Sequence, residues 1–350
     1  MIQIAGRELG KGNCFIIAEL SANHSKNLDI ALETIEAVSK TGADAIKLQT
    51  VDPDKITIDC DNKYFYMPSE TAWGGKSLYQ LEIETFLPKE WHLPLFNKAR
   101  ECGLICFSSP FDLDAIDFLE ELNCPAYKIA SFEITDTALI KKAASTGKPV
   151  IISTGIAYQE DIKLAVDTCL ENNNDQIILL KCTSAYPTPL DQVDLKSMPK
   201  LGDNYNCLYG ISDHTIGESI PMAAVALGAS MIEKHIKLDQ TIKSADDFFS
   251  MDVDELKDMV KKIRNIELSL GSNEWRITKS MLSGRKICRS LFVTENIKKG
   301  EKFTYENLRS IRPGNGLHPK FLDQFIDKQS LKDIERGTPL DWSMIETQTN

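Results

Sequence analysis

Residues Met231–Leu238 read MIEKHIKL. The run has the length and apolar weight of a buried strand, yet Glu233 and His235 alternate with Ile232, Lys234 and Ile236. Alternation of that kind puts the glutamate and the histidine on one face. A second strand-like run, CLYGISDH (Cys207–His214), also ends in a histidine, although the 350 residues contain only five. Whether MIEKHIKL counts as a strand decides the architecture, because it would be the eighth.

Seven similar runs precede it: Cys14–Leu20, Asp44–Thr50, Leu104–Pro110, Ala126–Ser131, Pro149–Gly155, Gln176–Pro187 and Cys207–His214. Amphipathic stretches of helical length follow them, such as LDIALETIEAVSKTG, TALIKKAASTG and EDIKLAVDTCLEN. After the sixth run only a loop and a short helical turn are expected. Strand–helix alternation implies a parallel sheet covered on both faces. Eight units in about 250 residues is the count of a closed (β/α)8 TIM barrel. An open doubly wound sheet would lead one to look for a glycine-rich dinucleotide turn after the first strand, and there is none. The opening IQIAGRELGKG reads as a hairpin before the first strand, closing the bottom of the barrel. The expected organisation is a barrel over 1–272, a linker over 273–286 and a small β-rich domain over 287–350.

Bulk properties narrow the functional classes. Fifty-one acidic against forty basic residues leave a net charge of −11. No broad positive field exists to hold nucleic acid or an anionic membrane, although a few converging lysines can still dominate one cleft. Nine cysteines, an odd number with no C-x-x-C pair, fit reduced thiols better than a disulfide framework. No apolar run approaches a membrane span, and the first residues lack a signal-peptide core, so a cytoplasmic protein is expected.

Barrel chemistry sits at the carboxyl ends of the strands. Read in order, those ends carry Glu19, then Asn23 and His24; Lys47 and Gln49; Ser108 and Ser109; Lys128, Ser131 and Glu133; Ser153 and Thr154; Lys181, Thr183, Ser184 and Tyr186; Ser212, Asp213 and His214; Glu233 and His235. A charge inside a dry barrel costs several kcal/mol unless it is paired or used. Polar residues on every strand end therefore point to an active site. Lysines with several hydroxyls suit a phosphate and a carboxylate. The two histidines suit either an open divalent-metal site or hydrogen-bonded packing. Glu19 and Glu133 are candidates for acid–base work.

The segments IAELSANH, GADAIKLQT, CFSSPFD, YKIASFEITD, LLKCTSAYPTP, GISDHT and ALGASMIEKHIKLD resemble the sialic acid synthase family. The tail RSLFVTENIKKGEKFTYENLRSIRPGNG resembles the antifreeze-like (SAF) domain that ends those enzymes. Within the family, AELSANH, EWHLPLF and GLHPKF are most similar to the branch that makes pseudaminic acid. The resemblance implies condensation of phosphoenolpyruvate with an open-chain 2,4-diacetamido-2,4,6-trideoxy-altrose and water, releasing phosphate by carbon–oxygen cleavage. N-acetylneuraminic or legionaminic acid formation by the same chemistry is the nearest alternative.

The same resemblance implies a divalent metal on His214 and His235, manganese in the first place, with magnesium or cobalt as substitutes. Lys47, Ser109, Lys128, Ser131, Ser153, Ser184 and Ser212 would hold phosphoenolpyruvate. Glu133 would act as proton donor or water-orienting base, while Glu19, Gln49, Tyr186 and Asp246 would hold the sugar. Arg312 would reach that sugar from the partner of a domain-swapped homodimer. Two positions depart from the neuraminate synthases, which commonly have Asn at Ser184 and His at Lys181. Lys181 is therefore open between a phosphate contact and a packing solution. Rival readings are a Schiff-base aldolase on Lys128 or Lys181, and a non-catalytic ice-binding tail, which the charged NIKKGEKFTYEN argues against.

Overall fold

The structure, a computed structural model, describes residues 2–10, 12–69, 71–272 and 274–346. The chain divides into two compact units, one ending at Gly271 and one beginning at Ser272.

In the first unit β1 (Gln3–Ile4) and β2 (Arg7–Glu8) form an antiparallel hairpin. Ile4 is fully buried in the same core as the later strands, and Gly10 packs against Leu208 at the start of a barrel strand. Eight parallel strands follow: β3 (Phe15–Glu19), β4 (Ala45–Thr50), β5 (Ile105–Pro110), β6 (Tyr127–Ile129), β7 (Val150–Ser153), β8 (Ile177–Cys182), β9 (Leu208–Asp213) and β10 (Met231–Lys237). Each pairs with the next, and β10 pairs with both β9 and β3, which closes the barrel. Every residue of β10 is buried. This is what a parallel strand filled inside by side chains and covered outside by helices requires. A short β11 (Met251–Asp252) extends the ladder from β10.

Each barrel strand is followed by a helix, including Met198–Tyr205 after β8, where a loop and a short turn were expected. The helix is easily read as a mere turn because it has only eight residues, with Pro199 in its first turn and Gly202 in its middle, and two 3-10 turns, Leu190–Gln192 and Leu195–Ser197, lead into it. The longest connection, between β4 and the helix His92–Glu101, carries helices Pro53–Ile56 and Leu78–Thr85. The second of these opens with a capping box between Ser77 and Gln80.

In the second unit β12 (Ser290–Val293) pairs antiparallel with β13 (Leu308–Ile311), and isolated bridges join Phe292 to Pro339 and Ile297 to Ile334. Leu291, Val293, Ile297, Phe303, Leu308, Phe325 and Leu340 form its core. The stretch expected as a linker holds a seven-residue exposed helix, Lys279–Arg285.

Candidate active site

Parallel register sets the site. Glu19 is level with both Lys47 and His235, Gln49 with Ser109, and Ser212 with both Glu233 and Cys182. These side chains enter a cavity of about 200 Å3 or form the wall behind it. Lys47, Gln49, Lys128, Ser131, Ser153, Tyr186, Ser212, His214, His235 and Asp246 line it directly. Glu19 lies one layer deeper. Its carboxylate meets Lys47 Nζ at 2.9 Å and accepts from Gln49 Nε2 at 2.9 Å. Ser109 accepts from Lys47 Nζ at 3.1 Å. Arg312 is exposed on the second unit.

Two lysines dominate the floor. Glu233 Oε1 lies 3.5 Å from Lys47 Nζ and accepts from Ser212 Oγ at 3.2 Å. Burial opposes the charged form of Lys47, but Glu19 and Glu233 outweigh it and raise its pKa. Burial lowers Lys128, and the nearby Lys47 adds to that, against the pull of Glu233. Burial also opposes the charge of Glu233, yet Lys128 and Lys47 hold its carboxyl below the usual range. Glu233, unassigned by sequence, is thus the counter-ion that keeps two ammonium groups together.

Hydroxyls ring the lysines. Ser153 Oγ and Ser184 Oγ are buried without a hydrogen-bond partner, and Gly155 N–H donates to Ser131 Oγ at 3.1 Å. A Cβ on Gly155 would sit 2.2 Å from Ser184 Oγ and 2.7 Å from Ser131 Oγ, so only glycine lets the chain beyond β7 approach this cluster. Buried polar groups are normally paired, so unpaired donors beside lysines mark a place for an anion.

The imidazoles of His214 and His235 meet edge to face, with centroids 5.2 Å apart. His214 Nδ1 lies 3.1 Å from Thr183 O, which orients the ring. His235 Nδ1 is buried without a hydrogen bond, 3.6 Å from Asp246 Oδ2. Among the described residues no group of three His, Cys, Asp or Glu side chains is placed to hold a metal. Two facing imidazoles, with His235 Nδ1 free of any hydrogen bond, offer at most two protein nitrogens to an open site. Phe249 packs 4.9 Å from His235 and 5.2 Å from Tyr186, and gives this side an apolar wall.

Glu133 Oε2 is buried and unpaired, and burial pushes its carboxyl up to about 7. Such a group exchanges protons near neutrality.

Sequence reasoning missed several lining residues. Ser21 donates to Asp246 Oδ2 and accepts from Gln49 Nε2 at 3.2 Å. Its place beside Asn23 in SANH was the available signal. Trp73, Leu81, Glu82 and Thr85 arrive from the long excursion after β4. Trp73 Nε1 donates to Ala245 O at 3.1 Å, and burial pushes the Glu82 carboxyl up to about 7. Conversely, Asn23 and His24 are clamps. Asn23 Nδ2 donates to Ile236 O at 2.8 Å, and His24 Nε2 lies 3.2 Å from Thr85 O. Lys181 is level with Ile211, on the helix side, and donates to Cys182 O at 2.8 Å. It is a packing solution.

A closed parallel barrel with a lysine–serine cradle and paired imidazoles on one rim, joined to a small strand-bearing unit, defines a barrel synthase-like architecture. The NeuB family profile matches residues 34–275 and the SAF domain profile residues 289–346. The chain belongs to the NeuB family. It is 45% identical over 332 residues to the pseudaminic acid synthase of Helicobacter pylori, covering 95% of this chain and 97% of that one. It is also 45% identical to the pseudaminic acid synthase of Campylobacter jejuni serotype O:23/36, covering 93% and 95%. The N-acetylneuraminic acid synthetase of Leptospira borgpetersenii, crystallised with citrate, superposes with a TM-score of 0.72 at 30% identity, covering 81% of this chain and 94% of that one.

Proposed function

We propose that the chain is a pseudaminic acid synthase, which condenses phosphoenolpyruvate with an open-chain 2,4-diacetamido-2,4,6-trideoxy-altrose and water. The observation that carries this reading is the convergence of Lys47, Lys128, Ser131, Ser212 and the unpaired Ser153 hydroxyl with the His214–His235 pair in one cavity. The 45% identity to two pseudaminic acid synthases over almost the whole chain supports the choice of sugar.

Lys47 and Lys128 bind the phosphate and carboxylate of phosphoenolpyruvate, with Ser109, Ser131, Ser153, Ser184 and Ser212 supplying hydrogen bonds. Gln49, Tyr186 and Asp246 orient the sugar, and Glu19 holds Gln49 and Lys47 from the layer behind. His214 and His235 hold a divalent cation, manganese by preference, which polarises the aldehyde carbonyl when bound. The enol carbon forms the new carbon–carbon bond, and Glu133 gives a proton to the aldehyde oxygen. The same carboxylate then takes a proton from the water that adds to the cationic carbon, and phosphate leaves by carbon–oxygen cleavage. Glu133 suits both steps because its proton affinity lies near neutrality.

The barrel over 1–272 and the SAF domain over 287–350, joined through 273–286, work as a homodimer in the cytoplasm. Arg312 of the partner subunit completes the sugar site. No helix among the described residues is long and apolar enough to cross a membrane.

The test is phosphate release from phosphoenolpyruvate with manganese and a panel of amino-sugar aldehydes, with the product identified by mass. The diacetamido-trideoxy-altrose should be turned over at least tenfold faster than N-acetylmannosamine. Equal turnover of the two overturns the sugar assignment; no phosphate release with any sugar overturns the activity.

A further inference from the structure

Outside the cavity wall, one ion pair has no role in the chemistry above. Lys234 Nζ lies 2.7 Å from Asp213 Oδ2, and the two side chains are only 1% and 2% exposed. Their Cα atoms are direct partners in the parallel ladder between β10 and β9. Strand alternation turns them away from Glu233, His235 and Ser212, and neither lines the cavity. The ammonium also donates to Thr215 O. Asp213 Oδ1 accepts from Thr215 N at 3.0 Å, and Oδ2 accepts from Thr215 Oγ1 at 3.0 Å.

The pair thus ties two strands and a turn through one buried network. What it ties is specific. His214 is the residue after Asp213, and His235 is the residue after Lys234. The backbone on both sides of the His214 ring is fixed, at Asp213 and at Thr215, and is bolted to the strand that carries the other ring. Burying two charges costs several kcal/mol per ion before their attraction is counted, and well-packed apolar residues often serve stability as well. A gain in geometry is a physical reason to keep such a pair.

We propose that Lys234 and Asp213 are positioning residues that set the separation and orientation of the His214 and His235 imidazoles, and so the affinity for a divalent cation. This rests on the reading of that pair as a metal site. Lys234→Met alone leaves Asp213 buried without its cation and can unfold the protein. The double variant Lys234→Met/Asp213→Asn removes both charges while Asn still accepts from Thr215 N. Mn2+ affinity is measured by titration calorimetry on the full chain, thermal unfolding checks the fold, and phosphoenolpyruvate affinity is measured without metal. The double variant is expected to unfold cooperatively, to bind phosphoenolpyruvate within threefold of wild type, and to bind Mn2+ on the order of 10- to 100-fold more weakly, as outer-shell changes do. Mn2+ affinity within twofold of wild type overturns the positioning role. Failure of the wild-type protein to bind Mn2+ overturns instead the metal reading beneath it.

Discussion

Glu233 Oε1 lies 3.6 Å from Lys128 Nζ, and both groups are buried on the barrel floor. Because Lys47 is as close to the same oxygen, Glu233 bridges the two ammonium groups, and Glu19 gives Lys47 a second carboxylate. Burial already lowers the proton affinity of Lys128, and Glu233 is its main support. Glu233→Gln removes that support, so Lys128 loses its proton at a lower pH. Phosphoenolpyruvate affinity should then fall off at lower pH in the variant than in wild type. Calorimetric titrations across pH 7 to 10 check this; superimposable pH dependences would show that the carboxylate does not hold the lysines charged.

His235→Ala removes the imidazole whose buried Nδ1 makes no hydrogen bond. Turnover at saturating manganese should drop at least a hundredfold, with phosphoenolpyruvate affinity in the absence of metal changed by less than threefold. Turnover retained within a few-fold would end the metal assignment.

Glu133 gives a stability signature separate from activity. Its folded pKa of about 7 exceeds the usual carboxylate value because of burial, so the folded chain holds this proton more tightly than the unfolded one. Its contribution is fully present below about pH 4.5 and is lost as pH rises through about 7. Glu133→Gln stays neutral throughout. The variant should therefore gain stability over wild type between pH 5 and 7.5 in urea unfolding, while turnover falls by about 10²- to 10⁴-fold. A difference in stability independent of pH would contradict the buried-acid reading.

Arg312 belongs to the second unit, and the proposed dimer assigns it to the other subunit's site. Arg312→Ala should raise KM for the sugar at least tenfold and leave that for phosphoenolpyruvate within threefold. Co-expressed Arg312→Ala and His235→Ala chains form mixed dimers in which one of two sites is intact, so about a quarter of wild-type activity should return. No recovery in verified mixed dimers would place Arg312 in its own subunit's site, and full activity of Arg312→Ala alone would place it in none.

Much of this was legible in the chain. Period-two alternation put Glu233 with His235 and Lys47 with Gln49, and eight strand-helix units imply closure because parallel strands need covered faces. The site was legible where a strand end carried it. It was not legible where a connection did: Trp73 and Glu82 come from an excursion whose helix, Leu78–Thr85, shows no pattern that aims it at the barrel mouth. Nor could alternation tell a clamp from a ligand-holding group. Asn23 and His24 stand at a strand end like Glu19, yet they tie the loop after β3 to β10 and to the end of the helix Leu78–Thr85.

The sequence by itself determined the barrel, the inward parity of the charged residues and the kind of chemistry they support. These follow from local periodicity and from the cost of burying charge. Only the tertiary structure decided that Lys181 turns to the helix side, that Glu233 joins Lys47 to Lys128, and that Lys234 grips Asp213 behind the two histidines. Those contacts join strands far apart in the chain, and their distances are set by ladder register and barrel closure, which no local run of residues encodes.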